Sequence, residues 1–131
     1  MKRLTEHYAF SILLTAVIIY LSLFNPSEVG LDDINVWDKL AHSAMYAGLS
    51  SVIWLEYQLN NHVIRMRDAV LFMFLCPIIL GGMLELIQEH CTEVRSGEWA
   101  DFLANSIGVA AAVPIGLLVE RPILRRSFPR D

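Results

Sequence analysis

Four long apolar runs, separated by short polar segments, make up most of this chain. The runs cover approximately residues 8–24, 36–57, 69–89 and 99–119. A helix of about 20 residues rises about 30 Å, which matches the hydrocarbon core of a bilayer. The pattern therefore predicts an all-α fold, a bundle of four transmembrane helices that forms a single domain over residues 1–131.

Composition favours the same membrane interpretation. Hydrophobic residues make up 55% of the chain, and the mean hydropathy is +0.47, which is more than a soluble domain of this size needs to fill its core. Aromatic side chains near the ends of the runs suit the two membrane interfaces. They are Tyr8, Trp37, Tyr57 and Trp99. We therefore expect the lipid bilayer to be the main partner, and we expect no nucleic-acid partner.

The distribution of cations predicts the orientation. Eight of the ten Lys and Arg residues lie before the first run, between the second and third runs, or after the fourth. The other two loops carry mainly acidic residues. By the positive-inside rule, both termini are predicted to face the cytoplasm.

Polar side chains interrupt the second, third and fourth runs near their outer ends. On a helix that turns about 100° per residue, Glu85, Gln88 and Glu89 share one face, and Asp101 and Asn105 share another. A charge that faces hydrocarbon costs at least about 2.5 kcal/mol, so these faces need a partner or a water-filled cavity. We predict an outward-facing polar pocket. Its members are Asp38, Lys39, His42, Tyr46, Glu85, Gln88, Glu89, Arg95, Asp101 and Asn105.

Some of these residues also fit purely structural roles. Asp38 completes a capping box with Asn35, and Asp101 in the first turn of its helix gains from the helix dipole. Asn105 suits a hydrogen bond between helices, and Gly108 suits a close helix approach. His42 and Glu85 lie more than one turn inside their runs and need a partner in either case.

The charge balance of this layer leaves the chemistry open. Six acidic residues meet only Lys39 and Arg95, so either some acids keep a proton or a bound cation completes the balance. Imidazole and carboxylate groups are ligands for divalent metals. The candidate metal ligands are His42, Glu85, Glu89 and Asp101.

The order and spacing of the polar residues resemble the VanZ-like family of small bacterial membrane proteins. The matching positions are Asp38-Lys39-x-x-His42-x-x-x-Tyr46, Glu85-x-x-Gln88, Arg95 and Asp101-x-x-x-Asn105-x-x-Gly108. The resemblance extends from Asp38 to about Ala112. It implies a multi-pass protein of the bacterial cytoplasmic membrane, related to a protein associated with resistance to the glycopeptide teicoplanin.

The first functional hypothesis is a protein that binds or modifies an anionic or lipid-linked envelope component, such as a phospholipid head group or a cell-envelope precursor. Lys39 and Arg95 would anchor the anion, while His42 or Glu85 would orient or protonate it. The remaining predicted ligand-binding residues are Asp38, Tyr46, Gln88 and Asn105.

The alternatives are an enzyme and a structural bundle without chemistry. The enzyme would be a metal-assisted hydrolase or transferase with His42, Glu85 and Asp101 as catalytic residues and a divalent metal as cofactor. The chain has no HExxH and no nucleophile elbow. Small-residue seams leave a homo-oligomer open as well.

Overall fold

The described part of the chain is almost entirely helical. The computed structural model describes residues 6–24, 36–61, 63–91 and 99–127, and these residues contain no strand. They form four long helices, which we number in chain order. The helices are α1 (Ala9–Phe24), α2 (Val36–Asn60), α3 (Met66–Cys91) and α4 (Trp99–Ser127). The predicted all-α class is confirmed, and each helix covers one of the predicted apolar runs.

Contacts near the helix ends show that successive helices run in opposite directions. The backbone N–H of Ser11, near the start of α1, donates to the carboxylate of Glu56, near the end of α2. At the other end of the molecule, the Gln88 side chain of α3 donates to the carbonyl of Ser22 on α1. Helix α2 therefore begins at the end where α3 ends, and the ion pair between Lys39 and Asp101 places the start of α4 there as well.

Helices α2 and α4 form the most extensive pair, and glycine permits their close approach. A Cβ atom on Gly108 would lie 2.1 Å from the carbonyl oxygen of Ser43 and 3.0 Å from the backbone nitrogen of Ala47. Ala104 and Ala112, one turn before and after Gly108, are also buried. The close approach expected of Gly108 is confirmed.

The hydrophobic core takes side chains from all four helices. Its first cluster consists of Ile18, Tyr46, Leu49, Leu84 and Val109. A second cluster contains Trp54, Tyr57, Ala69 and Met73. Tyr57 is only 6% exposed, so this aromatic side chain belongs to the core and not to the interface that the sequence suggested.

Helices α3 and α4 each contain a short π-helical stretch just before a proline, whereas Pro114 lies within the α-helical part of α4. Short stretches before Pro77 and Pro122 adopt π-helical geometry, in which each N–H bonds to the fifth residue back. A proline has no N–H, and its ring crowds the carbonyl four residues earlier. In α3 that carbonyl belongs to Met73, and the Ser50 hydroxyl of α2 donates to it. Ser50 thus supplies the donor that Pro77 lacks.

The end opposite the start of α2 contains a buried carboxylate, which the sequence analysis did not single out. Glu56 is 6% exposed. It accepts hydrogen bonds from the backbone N–H groups of Phe10 and Ser11, at 2.9 and 3.1 Å, and from the Ser11 hydroxyl. A carboxylate at a helix N-terminus is favoured by the helix dipole. Glu56 therefore fixes the start of α1.

Two of the helices, α3 and α4, are long and apolar enough to cross a membrane. Helix α1 is apolar but has only 16 residues within its described bounds. Helix α2 has 25 residues but carries Asp38, Lys39 and Glu56. Length and composition thus identify two candidate membrane-spanning helices among the four predicted.

A candidate site built from buried polar residues

Six polar residues meet at the end of the molecule where α2 and α4 begin and α3 ends. We call them the polar cluster, and this end the cluster end. The polar cluster consists of Asp38, Lys39, His42, Glu85, Asp101 and Asn105.

His42 lies at the centre of the polar cluster and is 2% exposed. Its Nδ1 atom is 3.1 Å from Asn105 Oδ1 and 4.0 Å from Glu85 Oε1. Its Nε2 atom is 3.9 Å from Asp38 Oδ2 and 3.9 Å from Asp101 Oδ2. Oxygen atoms therefore surround both nitrogens of a buried imidazole ring.

The helical repeat explains why these residues meet. Asp38 and His42 are one turn apart on α2, and Asp101 and Asn105 are one turn apart on α4, so each pair shares a helix face. Both helices begin at the cluster end and pack closely at Gly108. The two pairs therefore face each other across the α2–α4 contact.

Helix α3 reaches the polar cluster through a glycine. A Cβ atom on Gly81 would lie 3.2 Å from Asn105 Nδ2 and 3.3 Å from Tyr46 Cε1. One turn later, Glu85 is 8% exposed and faces His42. Sequence reasoning did not assign Gly81 a role, although its position one turn before Glu85 in an apolar run was a usable signal.

The polar cluster has an excess of negative charge. Lys39 forms an ion pair with Asp101, and their side chains are 20% and 6% exposed. Asp38 and Glu85 add two more carboxylates. Within the described ranges, the other Lys and Arg residues lie toward the opposite end, which we call the arginine end. They are Arg65, Arg67, Arg121, Arg125 and Arg126.

The predicted metal ligands are only partly brought together. In the described part of the chain, one group of donor atoms lies within 4.8 Å of one another, and it belongs to Asp38, His42 and Asp101. Glu85 faces the other ring nitrogen of His42, and Glu89 is exposed. The group therefore contains Asp38, which the sequence suggested as a ligand-binding or capping residue, and neither of the two predicted glutamates.

The other predicted ligand-binding residues lie beside or beyond the polar cluster. Tyr46 is 1% exposed and belongs to the hydrophobic core next to Gly81. Gln88 is also 1% exposed and joins α3 to the Ser22 carbonyl of α1. Arg95 lies outside the described residues. Ligand contacts by these three residues stay predictions.

The arrangement could support several kinds of chemistry. An imidazole between carboxylates can accept and donate protons, and the excess of carboxylates favours a bound cation or hydroxyl and ammonium donors. Comparisons of the chain with family models, curated proteins and solved structures find no match. The resemblance to the VanZ-like family therefore stays a prediction.

Proposed function

We propose that this chain is a multi-pass membrane protein that binds the anionic head group of a lipid or lipid-linked envelope precursor in the polar cluster. The observation that carries the proposal is a layer of buried polar side chains between apolar helices, with the ammonium group of Lys39 at its partly exposed edge. The buried side chains are His42, Glu85, Asp101 and Asn105. The exposed fraction is 8% for Glu85 and 4% for Asp101, while Asp38, the third carboxylate of the polar cluster, is one-third exposed. Such a cluster in an apolar surrounding is costly unless it serves a ligand or a partner.

The outer surface of the helices supports the membrane part of the proposal. All four helices expose large apolar side chains. Examples are Phe10, Leu13, Leu40, Leu55, Phe72, Met83, Leu103 and Leu118. In the most apolar windows of α3 and α4, only 28% and 33% of the residues are buried, whereas a core helix of a soluble protein is mostly buried. An apolar surface of this extent suits lipid.

The two ends differ in the way that membrane orientation requires. Five arginines at the arginine end favour the cytoplasmic side by the positive-inside rule. At the cluster end, Trp37 and Trp99 are 79% and 82% exposed, as suits an interfacial aromatic belt. We propose four spans, both termini in the cytoplasm, and the polar cluster toward the outer side.

The exposure of the cluster residues suggests how a head group enters. Asp38 and Lys39 are the partly exposed members, at 33% and 20%, and the His42 ring lies beneath them. Lys39 supplies a positive charge to a phosphate, with Arg95 as the predicted second anchor. The carboxylates can accept hydrogen bonds from hydroxyl or ammonium groups of the same head group.

Native mass spectrometry in mild detergent tests the proposal. The wild type should retain lipid with an anionic head group, because the ammonium of Lys39 attracts a phosphate and the carboxylates accept hydrogen bonds from hydroxyl or ammonium groups of the same head group. The double variant His42→Gln with Glu85→Gln should lose that lipid. The matched control Glu120→Gln, which alters a half-buried carboxylate near the arginine end, should retain it. Equal lipid retention in all three proteins, at equal melting temperatures, would assign the polar cluster to helix packing.

A further inference from the structure

We infer that Asp38, His42 and Asp101 form a site for a single divalent metal ion of the Mn²⁺ or Zn²⁺ class. One donor atom from each residue lies within 4.8 Å of the others. An imidazole nitrogen with two carboxylates is a mixed donor set that suits these ions. The site differs from the set that the sequence suggested, which included Glu85 and Glu89.

The separations between donor atoms are close to those that one ion requires. Two donors that each lie about 2.1 Å from a tetrahedral ion are about 3.4 Å apart. His42 Nε2 is 3.9 Å from Asp38 Oδ2 and 3.9 Å from Asp101 Oδ2. Each of these two pairs needs to close by about 0.5 Å, the first by a movement of Asp38 and the second by a movement of Asp101. The donor atoms of the two aspartates lie within 4.8 Å of each other.

The second nitrogen of His42 is held as in metal-binding histidines. Nδ1 lies 3.1 Å from Asn105 Oδ1. An amide oxygen only accepts hydrogen bonds, so Nδ1 carries a proton. With the proton on Nδ1, the neutral form of the ring has its lone pair on Nε2, the nitrogen that faces the two aspartates. Metal-binding histidines usually donate their other N–H to an oxygen, which fixes both tautomer and ring orientation.

The charges of the polar cluster also favour a divalent cation. Among the described residues of the cluster, three carboxylates, from Asp38, Glu85 and Asp101, meet one ammonium group, that of Lys39. Lys39 pairs with Oδ1 of Asp101, whereas Oδ2 of the same carboxylate faces His42. Asp101 can therefore hold Lys39 and a metal ion together. Three protein donors leave a coordination position for an oxygen atom of a ligand.

This inference deepens the proposed function and rests on it for the identity of the ligand, since a metal ion would give a negatively charged cluster an attachment point for a phosphate oxygen. Metal binding is measurable without lipid, so the two proposals can fail separately. The rival arrangement is a protonated His42 held between carboxylates, and it predicts that no metal binds.

The test uses the full chain in mild detergent after treatment with EDTA. Mn²⁺ is titrated while the electron paramagnetic resonance signal of the free ion is followed, and Zn²⁺ is then added as a competitor. We expect one saturable Mn²⁺ site per chain, displacement by Zn²⁺, and a higher melting temperature with either ion. Absence of saturable binding to the wild type overturns the inference.

Variants identify the donors. Asp38→Asn should weaken Mn²⁺ affinity at least about tenfold and leave the melting temperature of the metal-free protein unchanged, because Asp38 is partly exposed. Lys39→Met removes a competing positive charge and should raise the affinity severalfold. Glu120→Gln is the matched control and should bind as the wild type does.

Two results would contradict the proposed donors. Unchanged Mn²⁺ affinity in Asp38→Asn would remove Asp38 from the site, and a large loss in Glu89→Gln would restore the set suggested by the sequence. If Asp38→Asn destabilises the metal-free protein, the predicted rise in Mn²⁺ affinity of Lys39→Met still tests whether the ion binds at Asp101, and an unchanged affinity would contradict it. Metal binding without lipid binding would refute the proposed function alone, and lipid binding without metal binding would refute this inference alone.

Discussion

At the scale of single residues, the fold depends on polar side chains that hydrogen-bond to backbone groups without a partner in their own helix. Ser50 is 0% exposed, and its hydroxyl donates to the Met73 carbonyl that Pro77 leaves without its helical donor. Glu56 instead accepts hydrogen bonds from the first backbone N–H groups of α1, those of Phe10 and Ser11. Each contact joins two helices at a point where one of them lacks an internal partner.

We expect Ser50→Ala to lower the free energy of unfolding by about 1–3 kcal/mol, because the buried Met73 carbonyl loses its donor. The adjacent change Ser51→Ala is the matched control, since Ser51 is half-buried, and it should have a much smaller effect. The measurement is thermal or denaturant unfolding in the same detergent. Equal stability of the two variants would contradict the role assigned to Ser50.

The sequence predicted most residues of the polar cluster but not their partners. The spacing of four along each helix grouped Asp101 with Asn105 and placed His42 and Glu85 inside their helices. The same spacing places Asp38 one turn before His42, whereas the position of Glu89 relative to His42 depends on how far α3 is shifted along α2 and α4. Packing between distant segments sets that shift, and the helical repeat of one segment contains no information about it.

At the scale of elements, the pairing of α2 with α4 aligns the residues of the polar cluster. Gly108 allows the two backbones to approach, so the faces that carry His42 and Asn105 come within hydrogen-bond distance. The sequence indicated this approach through its small residues. The π-helical stretches before Pro77 and Pro122 were not predicted, because a proline can be accommodated by a kink, a bulge or a helix end.

Gly108→Ala should separate α2 from α4 and disturb the polar cluster, because the new Cβ atom would lie 2.1 Å from the Ser43 carbonyl oxygen. Overpacking typically costs about 1–3 kcal/mol, and rigid backbone atoms leave little room for relief. Gly48→Ala on α2 is the matched control, with no atom within 4 Å of the added Cβ, and it should be neutral or stabilise by up to about 1 kcal/mol.

The readouts for these two glycine variants are the melting temperature and the retention of lipid in mild detergent. We expect losses in both for Gly108→Ala and in neither for Gly48→Ala. A Gly108→Ala protein with wild-type stability and lipid retention would show that the close contact of α2 and α4 is unnecessary for the site.

At the scale of the whole molecule, the two ends have different charge and different chemistry. The cluster end has excess carboxylates and exposed tryptophans, whereas the arginine end has the other described cations and the buried Glu56. The positions of the cations along the sequence were enough to predict this asymmetry. The burial of Glu56 was not predicted, because its position near the end of a span also suits a solvated side chain.

The two native cysteines allow the proposed orientation to be measured. Both are exposed, but Cys91 ends α3 at the cluster end and Cys76 lies in its middle, where the proposal places lipid. In intact cells, a membrane-impermeant maleimide should label Cys91 and leave Cys76 unlabelled, since thiol reaction requires water and a thiolate. Cys91→Ser should abolish labelling.

A cysteine introduced at the arginine end provides the control for sidedness. In the Cys91→Ser background, Ser127→Cys should be labelled only after the membrane is permeabilised. The opposite result would be labelling of Ser127→Cys in intact cells together with no labelling of Cys91 in the wild type. It would reverse the orientation and place the polar cluster on the cytoplasmic side.

The central claim is that the polar cluster binds an anionic lipid head group, and native mass spectrometry with added lipids of identical acyl chains tests it most directly. The wild type should retain the anionic lipid in preference to a neutral one, and the His42→Gln, Glu85→Gln double variant should lose this preference while Glu120→Gln keeps it. Equal retention of anionic and neutral lipids by the wild type, or an unchanged preference in an equally stable double variant, would contradict the claim.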